Sequence, residues 1–373
     1  VLELKIKKVR LIGGTMFKIR MRTDKLKSGM IIADEVYSII GSLILPRNTV
    51  VDSKVIDLLY FHRIPIVTVI QENYDDKVIK PEETHLEKVR QSQAFKEFDK
   101  TFETVSHDLE GRINEIVYLD KDINIEELWN NLNALLTKTD NSIEFFHLLH
   151  SMKHTSDFTY IHSVNVALIS NMLAKWLRYP QKEIELASIA GLLHDIGKTK
   201  LPPDILNKQE LLTSAEITAF KRHPTLGYNI LKEKNIDRKI QVTALTHHER
   251  CDASGYPLRL KSSEVCDISK IVAIADTYDE LTANHVERKK VCPFRVIHMF
   301  ESEGLHQFDT SFMLTFLGCI LDTYVHSNVM LSNGQKGEII FVNKAAPSRP
   351  IVKVGTQYID LSINSNIDVE CII

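Results

Sequence analysis

A histidine and an aspartate stand side by side in the segment His194-Asp195-Ile196-Gly197-Lys198, and further imidazoles follow at His223 and His247-His248. If these donors are to meet, segments far apart in the chain must pack closely, and this requirement restricts the fold more than any other feature. The helical rhythm that ends at His194 carries Ala190 and Gly191 in its last turn, small residues that let a neighbouring helix approach with a donor of its own. Neighbours on a helix diverge by about 100°. His194 and Asp195 therefore converge on one cation only from the side, or the carboxylate reaches across to a second ion. Mixed N and O donors without thiolates suit iron, manganese or zinc held for chemistry, and argue against a structural zinc site.

The other candidates are weaker taken singly. His162 shares a helical face with Val166, Ile169, Leu173 and Trp176, and a lone histidine on an apolar stripe is more often a hydrogen-bonded core residue than a ligand. Its company among other donors changes that balance. His223-Pro224 follows the helical stretch Ala215 to Arg222, and Pro224 is expected to force the chain out of helix there. Asp276 ends the apolar run Ile271-Val272-Ala273-Ile274-Ala275, where an unpaired carboxylate would be costly to bury and a cation would remove the cost. The competing reading for Asp276 is a capping or ion-paired acid. Trp129 and Trp176 read as core.

With 373 residues, 44% of them hydrophobic, the chain can bury a sizeable core over two or three domains. The formal net charge of −3 makes polymeric nucleic acid a poor partner, so a phosphate-bearing ligand needs a local basic patch. No apolar run reaches the roughly 18 residues of a membrane span, and the start lacks a signal-peptide core, which gives a cytoplasmic expectation. Cys251, Cys266, Cys292, Cys319 and Cys371 contain no C-x-x-C pair and read as reduced thiols.

The expected fold is mainly α: an all-α helical bundle preceded by a small α+β domain and followed by a short β tail. The divisions fall at 1–80, 81–137, 138–330 and 331–373. The first twenty or so residues are basic and are assigned no function. Strands are expected at Met30 to Ala33, at Ser42 to Leu45 about a turn at Gly41, and at Ile66 to Ile70 after Pro65, with Asp52 capping a short helix. Phe95, Phe98, Phe102, Val105, Leu109, Ile113 and Ile116 step by three or four along a long helix within 84–118. That stripe is either intramolecular core or a homodimer seam. Helical rhythm continues over Ile123 to Leu136, Ser142 to Leu149, His162 to Leu177 and Glu183 to His194. Near the end, Gly337 to Val342 and Pro350 to Val354 are strand-like, with Asn333-Gly334 as a turn signal.

Three ordered blocks, HDIGK at 194–198, HHERCDASGYP at 247–257 and IVAIADTYDELT at 271–282, resemble those of the HD-GYP family, a branch of the HD phosphohydrolases, over roughly residues 140–330. The resemblance implies an α-helical domain with a two- or three-metal centre that hydrolyses cyclic di-GMP. By motif position it assigns metal ligands to His162, His194, Asp195, His223, His247, His248 and Asp276, and a phosphate contact to Lys198. The scheme it suggests has Asp195 bridging two divalent ions, iron or manganese with zinc allowed. His162, His194 and Asp276 complete one ion and His223, His247 and His248 the other. A bridging hydroxide then opens the ring to pGpG, with a second cut to GMP open. Arg288 and Tyr256 join Lys198 as substrate contacts, and the Gly255-Tyr256-Pro257 turn doubles as a docking or structural turn for a protein partner.

Departures from the family pattern are also expected to matter. Phe158 stands where three-metal members carry glutamate, which favours two ions. Ala253 replaces a glycine, a change that is harmless unless the backbone there needs positive φ. Asn284-His285-Val286-Glu287-Arg288 lacks the usual arginine and adds an acid. The alternatives are a hydrolase of another cyclic dinucleotide, such as cyclic GMP-AMP, and a non-catalytic cyclic-dinucleotide receptor.

Overall fold

The structure, a computed structural model, describes residues 7–11, 14–37, 43–62, 64, 66–71, 89, 91–139, 142–152, 158–206, 208, 212–282 and 291–373. These fall into two compact units, one formed by the chain up to Glu82 and one from Glu83 onward.

In the first unit, β1 (Lys7–Leu11), β2 (Gly14–Arg22), β3 (Ile31–Ile32) and β6 (Ile66–Gln71) form an antiparallel sheet in the order β1-β2-β6-β3. A second pair joins β4 (Val36–Tyr37) to β5 (Leu43–Leu45). Helix α1 (Ser53–Phe61) starts as expected, with the Asp52 carboxylate accepting from the Val55 amide at 2.8 Å. The basic leader is not an appendage: β2 pairs with β6 from Phe17 opposite Gln71 to Arg22 opposite Ile66. The alternation of basic and apolar residues from Phe17 to Arg22 is the two-residue period of a strand. Gly41, Ser42 and Pro65 lie outside the described residues.

The second unit is mainly α. The stripe expected on the long helix lies on α2 (Gln93–Tyr118), where every member from Phe95 to Ile116 is buried against the chain's own α3 (Ile125–Leu136) and α5 (Phe158–Trp176). The apolar face is thus covered internally. The remaining helices of seven residues or more among the described residues are α4 (Ser142–Ser151), α6 (Gln181–Leu193), α7 (Ser214–Phe220), α8 (His223–Glu233), α9 (Arg238–Thr246), α10 (Asp267–Thr282), α11 (Pro293–Met299) and α12 (Thr310–Asp322). Helix α10 is buried over nearly its whole length and packs on α5 and α6, while α9 packs on α6 and α8. A buried helix reads as apolar all round, which explains why Asp276 is set in an unbroken apolar run.

The close approach predicted from Ala190-Gly191 is present. A Cβ at Gly191 would lie 3.0 Å from the Cα of Ala167 and the carbonyl oxygen of Val166 on α5. The reading of His223-Pro224 as a helix end is corrected: His223 opens α8 with Pro224 in the first turn. A proline is tolerated there because the first-turn amides have no intrahelical acceptor. Asp276 is likewise mid-helix and caps nothing.

At the end of the unit, β7 (Asn328–Leu331), β8 (Lys336–Phe341), β9 (Ile351–Val354), β10 (Gln357–Asp360) and β11 (Val369–Ile372) make an antiparallel sheet in the order β10-β9-β8-β7-β11. Val329, Leu331, Ile339 and Val352 form its buried side. The Asn333-Gly334 turn joins β7 to β8, with Gly334 at φ +80°. Among the described residues no helix is long and apolar enough to cross a membrane.

Candidate metal centre

Five chain elements deliver the donors. His162 comes from α5, His194 and Asp195 from the turn after α6, His223 from the start of α8, His247-His248 from the turn after α9, and Asp276 from the middle of α10. All seven side chains are buried. Two groups of ligand atoms lie within 4.8 Å of one another: Asp195, His223, His247 and His248 form one, and His162, His194 and Asp195 the other. Asp195 belongs to both. Its Oδ2 faces His194 Nε2 at 3.2 Å and His162 Nε2 at 3.8 Å, and its Oδ1 faces His223 Nε2 at 3.3 Å and His247 Nε2 at 3.7 Å. Asp276 Oδ1 stands 3.1 Å from His162 Nε2 and 3.8 Å from His194 Nε2. His248 spans the two groups, with Nε2 at 3.1 Å from His223 Nε2 and Nδ1 at 3.7 Å from Asp276 Oδ2.

The helix ends fix which nitrogen faces inward. His194 Nδ1 donates to the Gly191 carbonyl at 2.7 Å, His223 Nδ1 to Phe220 at 2.8 Å, and His247 Nδ1 to Ala244 at 3.0 Å. A carbonyl can only accept, so each Nδ1 carries a proton, and each Nε2 is the atom that faces Asp195. The Nε2 atoms of His194 and His247 are fully buried and have no hydrogen-bond partner among the described residues. Buried polar atoms without a partner are costly, and a divalent cation satisfies these. The buried His/Asp cluster fits a divalent metal centre.

Charge compensation without a cation comes from protons. Burial alone would lower the His162 pKa, but the hydrogen bonds it donates to Asp276 and Asp279 override that and lift the value to about 10. Burial would raise Asp195 and Asp276, yet neighbouring imidazoles and, for Asp195, the Lys198 ammonium hold both well below the ordinary carboxylate range. Burial pushes His223 down to about 4 and His247 well below the imidazole range, so both are neutral. Lys198 lies against Asp195 Oδ2 and its ammonium sits 5.6 Å from the Phe220 ring centre.

These shifts set a pH dependence for the metal-free chain. The folded value of His162 is raised from 6.5 to about 10, so its stabilisation is complete below pH 6.5 and is lost as pH rises towards 10. Thermal melts of chelator-treated protein should fall progressively between pH 7 and pH 9. With a divalent ion added, that slope should flatten, because the ion replaces the proton. A metal-free melting temperature that is level over this range would contradict the His162 arrangement.

Two structural residues escaped the sequence reading. Asp279, one turn after Asp276, accepts from His162 Nδ1 at 2.8 Å and from Asn165 Nδ2 at 2.9 Å, and so orients the imidazole as outer carboxylates orient ligating histidines. Glu249 is buried directly after His248, and its carboxylate accepts the amides of Leu258, Arg259 and Leu260 at 2.6, 3.1 and 2.9 Å. It ties the loop carrying Gly255-Tyr256-Pro257 back to the histidine pair. Acid spacing i, i+3 on one helix was the available signal for Asp279. Glu249 had none, since its partners are main-chain amides.

Tyr256 stacks on His248 with ring centres 4.7 Å apart. Ala253 takes φ +61°, so the backbone does need the left-handed region where alanine replaces glycine, at a cost on the order of 1 kcal/mol. Arg288 and the 284–288 stretch lie outside the described residues. Cys251 is half-buried and Trp176 stacks on Phe146.

Residues 138–312 match the family model described as HD domain. Among curated relatives, the cyclic di-GMP phosphodiesterase PA4108 of Pseudomonas aeruginosa is 31% identical over 204 residues, covering 54% of this chain and 49% of that protein. The cyclic di-GMP phosphodiesterase PdeB of Borreliella burgdorferi is 29% identical over 54% of this chain and 53% of its own length. The 3'3'-cGAMP-specific phosphodiesterase 2 of Vibrio cholerae is 32% identical over 49% of this chain and 35% of its own length. The chain thus spans about half the length, or less, of these relatives.

Proposed function

We propose that this chain is a metal-dependent phosphodiesterase that hydrolyses cyclic di-GMP, opening the ring to linear pGpG. The observation that carries this reading is one buried carboxylate, Asp195, shared by two groups of inward-facing donors. In this reading His162, His194, Asp195 and Asp276 hold one divalent ion, and Asp195, His223, His247 and His248 hold a second. The mixed donors suit iron or manganese. Bound there, the ions supply an activated water and positive charge for a phosphodiester in hydrolysis. The chain's own residues do the rest. The carbonyl-locked imidazoles keep their lone pairs in place, Asp279 holds His162 in register, and Lys198 at the mouth moves from Asp195 to a phosphate oxygen once the carboxylate is otherwise neutralised.

A second reading, hydrolysis of a cyclic GMP-AMP hybrid, draws support from the similarity to the Vibrio cholerae relative of that specificity. The test is metal analysis joined to product chromatography on anaerobically purified protein, offered cyclic di-GMP and cyclic GMP-AMP in parallel. The expected result is about two ions per chain with pGpG formed faster than the hybrid is opened. Turnover that persists in metal-stripped buffer would defeat the proposal.

A further inference from the structure

Beside the donor cluster lies a cationic rim that the scheme above does not use. Lys221, between α7 and His223, places its ammonium 5.1 Å from the centre of the Tyr256 ring, and that ring is stacked on His248. Lys221 is half-buried, and Arg259 stands close enough to add its repulsion to the effect of burial in lowering the lysine's pKa. Neither cation has a carboxylate partner among the described residues. Arg259 is exposed and holds φ +58°. That conformation disfavours any side chain with a Cβ, yet its amide and the two flanking ones are clamped by buried Glu249. The Lys221 ammonium is thus one aromatic layer from the proposed reaction centre, and a second unpaired positive charge, carried on the strained and clamped backbone of Arg259, stands near it.

We infer that Lys221 and Arg259 form a subsite for the second phosphodiester of a cyclic dinucleotide, the one that is not being cut. The inference rests on the proposed function and adds the element that distinguishes a ring with two phosphates from an ordinary diester. The donor cluster takes one phosphate, and the other, still charged, needs its own cations. The guanidinium offers a fork to two phosphate oxygens, whereas the ammonium, backed by the Tyr256 face, acts as a point charge. Glu249 and Tyr256 serve as positioning residues that bind this rim to the histidine pair.

The experiment compares the wild-type chain with Lys221→Ala, Arg259→Gly and Arg259→Lys, using cyclic di-GMP and bis(p-nitrophenyl) phosphate, a diester with a single phosphate. The readout is the ratio of kcat/KM on the first to that on the second. Lys221→Ala and Arg259→Gly should each lower it about tenfold or more through KM, the scale of one charged hydrogen bond. Arg259→Lys should stay within a few-fold of wild type. Glycine suits the left-handed backbone, so Arg259→Gly should melt at or above the wild-type temperature. A ratio unchanged in both variants, in a wild type that prefers the cyclic dinucleotide, overturns this inference alone. A wild type that neither binds nor cleaves any cyclic dinucleotide overturns it together with the proposed function.

Discussion

Replacing Asp195 with alanine should reduce bound metal to less than one ion per chain and lower turnover of cyclic di-GMP at least about a thousandfold. The size follows from its position. Asp195 is the one side chain common to both donor groups, so its removal strips a ligand from each site at once, and catalytic charge stabilisation of this kind is commonly worth several kcal/mol. Folding should suffer less than loading. Asp195 is a buried anion whose partner Lys198 is a fifth exposed, so the ammonium can turn to water when the carboxylate is gone. The melting temperature of the metal-free variant should therefore lie near that of metal-free wild type, while the rise on adding a divalent ion disappears. Elemental analysis and melting curves with and without metal check both halves. A variant that keeps two ions would rule out Asp195 as a shared ligand.

The largest structural effect is expected at Gly197, two residues further on. A Cβ there would overlap the carbonyl oxygen of His223 and the amide nitrogen of Gly227. Both are main-chain atoms of α8, so no rotamer change relieves the clash, and the helix carrying His223 must shift. Gly197→Ala should cost about 3 kcal/mol or more, the upper end for overpacking, and weaken metal binding. Gly227→Ala is the control. The nearest neighbours of its added Cβ are 3.2 Å and 3.4 Å away, at Gly197 N and Ile196 Cγ2, and the gain in helix propensity of up to about 1 kcal/mol offsets much of that crowding. Chemical denaturation should separate the two variants clearly. Equal losses would refute the main-chain contact.

The helices were readable because their apolar residues recur with the right period. The stripe from Phe95 to Ile116 needed no partner information, and Ala190-Gly191 signalled a close crossing through size alone. His223 was misplaced because proline marks a helix start as readily as an end. The strand period of β2 went unread because its basic residues drew attention from the alternation. The donors were legible as chemical types in ordered motifs, and the folded chain brings all seven together. What stayed hidden works through space or through the main chain. Glu249 binds only amides, Lys221 and Arg259 converge from separate segments, and the φ of Ala253 is a property of the loop.

The tautomer locks at His194, His223 and His247 have a consequence for how the centre fills. Each imidazole satisfies a carbonyl left over at the end of the helix that precedes it, so folding alone sets the direction of three Nε2 atoms. Capture of an ion then requires little rearrangement. A nest finished in advance would select its occupant by donor chemistry and supply, and one divalent element could then replace another on the same scaffold.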